Sequence, residues 1–353
     1  MAPDDLDAVA SGLARWFEAG HRDLPWRATR DPYAIWVSEV MLQQTRVETV
    51  TAYYEPFLRR FPTVRALASA AQDEVLSAWS GLGYYRRARL LHAGAQYVVE
   101  TCGGEVPGEV SALREVPGIG PYTAGAIASI AFDVPAALVD GNVARVLSRL
   151  EAVADPREQG ATAKRHWGTA GEIVDRGRPR VLAQAMMELG ATVCTPKSPR
   201  CEACPVSRQC QAHARGLQGE IPAPKKRAPS PVVPLDALVV RWGDRLLLER
   251  RPDEGLLRGM WSLPLVSRTE IPADGGYATH LGVEVRATAP RTTTIRHVFT
   301  HRIWEVRLVD VSTRTRPRVK GGATARMWLR PGERPASGGT PTLTEKMLEA
   351  LGV

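Results

Sequence analysis

The sequence contains no apolar run approaching the roughly 20 residues that a membrane-spanning helix needs. Its first residues, Met-Ala-Pro-Asp-Asp-Leu-Asp, are acidic and hold no apolar leader segment. These two absences set the expectation of an intracellular, cytoplasmic protein with no membrane partner. No internal repeat is visible, and no strand-like alternation occurs before residue 230. Cysteine is scarce at five residues. Cys102 stands alone and reads as a reduced, chemically bland side chain, whereas the other four cluster between residues 194 and 210.

What is present is positive charge. Lys and Arg number 46 against 38 Asp and Glu, a net charge of +8, and the isoelectric point is about 9.5. Such an excess suits a polyanion partner. A chain of 353 residues is naturally two domains, each large enough for its own core.

The first half reads as all-α. Leu6, Val9, Leu13, Trp16 and Phe17 repeat at helical spacing. His21 to Arg30 is polar and irregular. Asp31-Pro32 supplies an N-cap and a first-turn proline for a helix containing Glu39. Thr63 caps a short helix, Gly81-Leu82-Gly83 breaks the pattern, and a helix is expected from Tyr84 to about Val99. Ser111 is the expected cap of the next helix. The helical domain is expected to span 1–218, followed by a basic, proline-rich linker over 219–234 and an α/β domain over 235–353. In that last part the period changes to two. Trp242-Gly243-Asp244 reads as a hairpin turn, Trp304, Val306 and Leu308 alternate, and a final helix begins near Thr344.

The chain is organised around Glu115 to Asp140. A helix ends before Pro117-Gly118-Ile119-Gly120, and a second follows with Ala124, Ile127, Ala128 and Ala131 on one face. This hairpin, around 113–132, is either a plain tight turn or a backbone claw. In the second case Gly118 and Gly120 let it approach a phosphate at the next helix start. Asp140 precedes a further helix, as an N-cap or as a fixed anion. Cys194, Cys201, Cys204 and Cys210 give C-x6-C-x2-C-x5-C. Four thiolates satisfy structural zinc, but the uneven spacing suits an iron–sulfur cubane better.

The hairpin Val-Pro-Gly-Ile-Gly-Pro-Tyr-Thr-Ala with Asp140 behind it resembles the helix-hairpin-helix base-excision glycosylases of the endonuclease III superfamily. The stretch Val37-Ser38-Glu39-Val40-Met41-Leu42-Gln43-Gln44-Thr45 narrows the resemblance to the MutY-type adenine DNA glycosylases, over nearly the whole chain. The fold this implies is mainly α: two helical subdomains with an iron–sulfur loop over 194–210, then a C-terminal α/β Nudix-like domain. The implied cofactor is a [4Fe-4S] cluster. The implied partner is duplex DNA bearing adenine opposite 8-oxoguanine or guanine, bound by a monomer acting at the bacterial nucleoid.

The same resemblance assigns roles. Glu39 would protonate adenine N7 and later help activate water. A carboxyl in an apolar pocket has its pKa raised by desolvation, as a general acid requires, although Glu39 could equally face solvent on a buried helix. Asp140 would stay ionised and stabilise the oxocarbenium, a division of labour between two carboxylates. Asn142 would fix the site geometry. Tyr122 stands where the superfamily's lyases carry a Schiff-base lysine, so a monofunctional enzyme is expected, with Tyr122 hydrogen-bonded to Asp140 or the sugar.

Base flipping needs wedges. Gln44, Leu82 and Tyr84 match the intercalating positions, with Thr45 beside Gln44 at a helix–helix junction. Trp26, Arg27 and Gln184 match positions near the flipped adenine. Lys197 and Arg200, with Arg208, form a basic loop suited to DNA backbone. The C-terminal part, at Gly259 to Glu270, lacks the Glu-rich metal box of a working Nudix hydrolase. Phe299-Thr300-His301 stands where the family has Phe-Ser-His for reading 8-oxoguanine, and Thr adds a methyl there. The runner-up activity is a G:T mismatch thymine glycosylase. Intact Glu39 and Asp140 argue against a non-catalytic damage binder, and Tyr122 argues against a lyase.

Overall fold

A computed structural model describes residues 1–156, 160–223, 229–269, 276–287, 291, 293–317, 325–330, 332–335 and 339–353. Its helices run, in chain order, α1 Pro3–Ala19, α2 Pro32–Leu42, α3 Val47–Arg60, α4 Val64–Ser69, α5 Gln72–Ala78 and α6 Arg86–Thr101. They continue with α7 Val110–Glu115, α8 Pro121–Phe132, α9 Gly141–Leu150, α10 Gly160–Val174, α11 Pro179–Thr192 and α12 Gln211–Ala214. Among the described residues no helix is long and apolar enough to cross a membrane.

The chain divides into two compact units. The first is Met1–Ser69 with Arg86–Lys226, and the second is Ala70–Tyr85 with Arg227–Val353. The short stretch 70–85 therefore groups with the C-terminal unit, whereas the sequence boundaries leave it in the helical one. The reason is local. Asp73 pairs with Arg250 at 3.0 Å, and the Ser80 and Tyr85 hydroxyls donate to the Thr340 carbonyl at 3.0 and 3.1 Å.

In the helical unit, α1, α9, α10 and α11 turn their apolar faces onto one core. Leu13, Val143, Leu147, Ile173 and Leu189 are at most 1% exposed there. Asp31 caps α2 by accepting from the Tyr33 N–H at 3.0 Å, with Pro32 at the first position. Thr63 caps α4 through the Ala66 N–H at 3.1 Å. Two local expectations fail. Ser111 lies inside α7, whose N-cap is Glu109 without a side-chain bond. Tyr84 precedes α6 in a left-handed conformation with φ of 49°, so that helix starts two residues late.

The hairpin between α7 and α8 takes the expected form. Gly118 has φ of +84°, and a Cβ there would meet Leu90 Cβ at 2.7 Å, so only glycine fits. Further on, a Cβ on Gly125 would come within 1.9 Å of the Ala137 carbonyl oxygen. Extended chain over 134–139 can therefore lie against α8 and deliver Asp140 to the start of α9.

The second unit is a mixed sheet. Its strands are β1 Val232–Trp242, β2 Arg245–Arg250, β3 Trp261–Ser262, β4 Leu265–Ser267, β5 Val285–Ala287, β6 Thr294–Val298, β7 Ile303–Thr313 and β8 Arg326–Leu329. Central β1 runs parallel to β7, with Val232 opposite Ile303 and Val240 opposite Val311. The other ladders are antiparallel. Alternate β1 residues feed two cores. Leu235, Ala237 and Val239 face helix α14, Thr342–Glu349, through Leu343 and Met347. Leu238 and Val240 face Leu281 of α13, Tyr277–Leu281. Of the expected linker, residues 224–228 lie outside the described ones, as does Glu270 at the end of the stretch that lacks a metal box.

Candidate active site

A cavity of about 690 Å3 opens in the helical unit. Its walls come from α2, the turn Pro25–Arg27, the hairpin at Gly118 and Gly120, the start of α9, and α11. Trp26, Arg27, Glu39, Gln44, Thr45, Tyr122, Asp140, Asn142 and Gln184 all line it. Residues as distant in the chain as Arg22 and Glu188 line it together, and α8 packs against both α2 and α11.

Glu39 is 4% exposed. Every residue of α2 from Tyr33 to Met41 is buried, so the solvent-facing placement is not the one observed. Burial pushes the Glu39 carboxyl up to about 7, with nearby Asp140 adding to the rise; the Tyr122 hydroxyl and Arg27 oppose it. At neutrality a large share of Glu39 therefore carries its proton. Tyr122 donates from its hydroxyl to Glu39 Oε2 at 2.8 Å, with Met187 Sδ a second acceptor at 3.2 Å. Its phenol is raised well above its ordinary value by burial and by the two carboxylates, so it stays protonated. This corrects the expected Tyr122–Asp140 bond. The partner is Glu39, and the phenol's single hydrogen favours a carboxyl oxygen over a thioether.

Asp140 caps α9. Its Oδ1 accepts from the N–H groups of Asn142 and Val143 at 2.9 and 2.7 Å, and its Oδ2 from Asn142 Nδ2 at 3.2 Å. Three donors at a helix start are complementary to a carboxylate. Asn142 is held in turn by Arg145, whose Nη2 reaches Asn142 Oδ1 at 3.0 Å and the Gly190 carbonyl at 2.8 Å.

Trp26 is 7% exposed and packs edge-on to Tyr54 at 5.5 Å. Gln184 is buried and donates to the Arg180 carbonyl at 3.1 Å. Gln44 is exposed, with φ of 59°. That conformation is costly for a residue with a side chain. Arg87 spans the junction: its Nη1 lies 2.9, 2.7 and 2.5 Å from the carbonyls of Val40, Met41 and Gln43, and its Nη2 reaches Thr45 Oγ1 at 3.0 Å. Gly120 has open space where a Cβ would stand and an ordinary φ of −87°. Nothing among the described residues requires glycine there, which leaves the turn approachable from outside.

Sequence reasoning missed Arg22 and Glu188. Glu188 lies four residues after Gln184 on α11, so the two share a helix face. Arg22 sits in the segment read only as irregular. Arg22 pairs with both Glu188 oxygens, and Arg27 Nη2 reaches Oε2 at 2.7 Å.

In the second unit, Leu82 is 5% exposed and Tyr84 50% exposed. Leu82 is therefore not presented to a partner in this conformation, whereas Tyr84 is. Phe299, Thr300 and His301 form the tip between β6 and β7, where the Phe299 N–H donates to the Arg302 carbonyl at 2.9 Å. Phe299 is fixed edge-on to His297 and Trp304 at 4.7 and 4.8 Å, and Thr300 and His301 are exposed.

Cys194, Cys201, Cys204 and Cys210 are all half-buried on one loop. Burial raises Cys201, Cys210 and Cys204, the last to about 11, and the neighbouring thiols add to each rise. Among the described residues no three ligand side chains close on a single metal ion. A tetrahedral zinc would draw its sulfurs to about 3.8 Å from each other. The four thiols are a soft donor set of the kind that holds zinc or an iron–sulfur cluster. Arg149 braces the loop, donating to Cys194 Sγ at 3.3 Å and to the carbonyls of Thr195, Pro196 and Ile221 at 2.8, 3.2 and 2.9 Å.

Residues 37–168 match the HhH-GPD superfamily of base excision DNA repair proteins, and residues 236–350 match the NUDIX domain. The chain is 41% identical over 315 residues to an adenine DNA glycosylase of Rattus norvegicus, covering 74% of this chain and 61% of that one. It therefore spans about three fifths of the mammalian protein. It is 32% identical to an adenine DNA glycosylase of Buchnera aphidicola subsp. Baizongia pistaciae, covering 71% of this chain and 72% of the other. Among solved structures, a thermostable thymine-DNA glycosylase superposes with a TM-score of 0.56 at 29% identity, covering 60% of this chain and 98% of that one. The fold is thus a helix-hairpin-helix glycosylase fold followed by a Nudix-like α/β domain.

Proposed function

The chain belongs to the adenine DNA glycosylase family, and from that premise we propose that it hydrolyses the N-glycosidic bond of adenine mispaired with 8-oxoguanine or guanine in duplex DNA. One observation carries the reading: buried Glu39, raised to about 7, shares a cavity with Asp140 at a helix start.

Adenine leaves poorly as an anion, so the departing base needs a proton, and the sugar must bear positive charge as the bond stretches. Glu39 donates to adenine N7 and then helps deprotonate the attacking water. Asp140, held by three donors, faces the developing oxocarbenium and stabilises it. Tyr122 keeps Glu39 oriented, and Asn142 does the same for Asp140. A phenol forms no Schiff base, so strand cleavage does not follow.

The base must leave the stack to enter the cavity. Trp26, Arg27 and Gln184 line the space that receives it. Gln44, Thr45 and Tyr84 fill the vacated duplex and touch the opposite base, Leu82 joining them only once uncovered. Gly118 and Gly120 grip phosphate, and Thr300 with His301, on their exposed tip, read 8-oxoguanine. Cys194, Cys201, Cys204 and Cys210 would hold a [4Fe-4S] cluster, and the group would cross-link the basic loop with Lys197, Arg200 and Arg208. The protein works as a monomer on nucleoid DNA.

Likeness to a thymine-DNA glycosylase favours a second reading, thymine removal from G:T pairs. That likeness covers 60% of the chain, whereas the NUDIX match over 236–350 supports the adenine reading. Single-turnover base release and nicking on A:8-oxoguanine, A:G, T:G and oxidised-pyrimidine duplexes separate the candidates. Release from the adenine mispairs without nicking is expected. Release of thymine alone, or nicking, would overturn the reading.

A further inference from the structure

The cavity holds a third carboxylate that the mechanism does not use. Glu188 is 2% exposed, and no reaction step above needs it. Its oxygens are fully engaged by two guanidinium groups. Arg22 Nε lies 2.9 and 3.1 Å from Oε1 and Oε2, Arg22 Nη2 is 2.7 Å from Oε2, and the Arg22 backbone N–H is 3.2 Å from Oε1. Arg27 Nη2 reaches the same Oε2 at 2.7 Å, and its Nη1 donates to the Arg22 carbonyl at 2.9 Å. Arg27 also stacks over Phe17 at 5.2 Å. Two cations and one anion thus form a closed group on the cavity wall, built from α11 and the segment before α2.

Resting on the adenine glycosylase reading, we propose that Glu188 is a positioning residue that anchors Arg22 and Arg27 to the wall and offsets their charge, so that the proton on Glu39 is not repelled from the cavity. The groups facing Glu39 are few. Tyr122 comes from α8, Asp140 from the start of α9, and Arg27 from the turn before α2. Arg87 from α6 donates to carbonyls at the far end of α2 and to Thr45. Among the described residues Arg27 is the one cation acting directly on Glu39, and a nearby positive charge favours the ionised carboxylate. Burial opposes the charge on Glu188, but the bonds from Arg22 and Arg27 outweigh it and hold the carboxyl down near 2. It therefore remains an anion throughout the range in which Glu39 titrates. Without it, Arg27 would act on the acid with no anion fixed to its guanidinium.

The test is Glu188→Gln, which keeps the shape and removes the charge, beside Glu188→Asp, which keeps the charge. Two readouts are taken. The first is the pH profile of single-turnover adenine release from an A:8-oxoguanine duplex. The second is the carbon-13 titration of the Glu39 carboxyl in free protein, assigned by its loss in Glu39→Gln. With Glu188→Gln, the Glu39 midpoint should fall by about one pH unit, and release at pH 8 should fall roughly tenfold while release at pH 5.5 is largely kept. Glu188→Asp should hold the midpoint near that of the parent. An unmoved midpoint in Glu188→Gln, with rates lowered equally at every pH, would assign Glu188 a purely structural role and overturn the proposal. The titration needs no turnover, so failure of the parent to release adenine would remove the functional reading and leave the charge-offset claim judged by the carbon signal alone.

Discussion

Glu39 is held where its charged form is disfavoured, and that has a stability signature. The unfolded value is 4.5 and the folded value about 7. The folded state therefore binds the proton more tightly, and stability falls as pH rises from about 4.5 to 7, then levels off. Glu39→Gln removes the penalty. At pH 8 the variant should be more stable than the parent by about 3 kcal/mol, with near equality at pH 4, and it should release no adenine. Chemical denaturation at the two pH values checks the first part, and base release the second. Asp140 was legible from its place before Gly-Asn-Val, and Glu39 from the apolar residues around it. The Glu188 group was not legible, because its three members come from residues 22, 27 and 188 and pair only when α11 folds against the turn before α2.

At the scale of elements, the junction between α2 and α3 is the informative one. Asp31-Pro32 announces where α2 starts, since cap and proline act within one turn. Nothing local announces how it ends. Gln44 takes φ of 59° where Arg87, over forty residues away, holds the carbonyls of Val40, Met41 and Gln43 before the bend and the Thr45 hydroxyl after it. Replacing that planar fork by a single ammonium leaves some of those acceptors unmet. Arg87→Lys should lose about 1–3 kcal/mol of stability and weaken binding to mispaired duplex while the pH midpoint of base release stays put. In a Gln44→Gly background, where the bend costs little, the added effect of Arg87→Lys on duplex binding should shrink. Equal effects in both backgrounds would detach Arg87 from Gln44. The Ser111 and Tyr84 boundaries were misread for a related reason: helix ends are decided by tertiary partners more than by propensity.

At the scale of the molecule, the order of α-rich and strand-rich halves was legible from the change of hydrophobic period, and the four cysteines from their spacing alone. Their surroundings were not, because Arg149 bridges from α9 to the loop across more than forty residues. Purified aerobically, the protein should carry about four irons and four sulfides per chain, as a cubane requires. Cys201→Ser should lower that content and release the Lys197–Arg200 loop, reducing duplex affinity and its salt dependence by one or two phosphates' worth. Iron-free protein with unchanged affinity would remove the cluster from the account.

The grouping of residues 70–85 with the C-terminal unit bears on how such a protein could be rebuilt. A recombinant swap made at the proline-rich stretch alone would carry Arg250 and Thr340 into the chimera and leave Asp73, Ser80 and Tyr85 behind with the old host. Both seams would then present mismatched surfaces. The transplantable cassette is discontinuous in the gene, and inheritance by domain shuffling would have to move two pieces together.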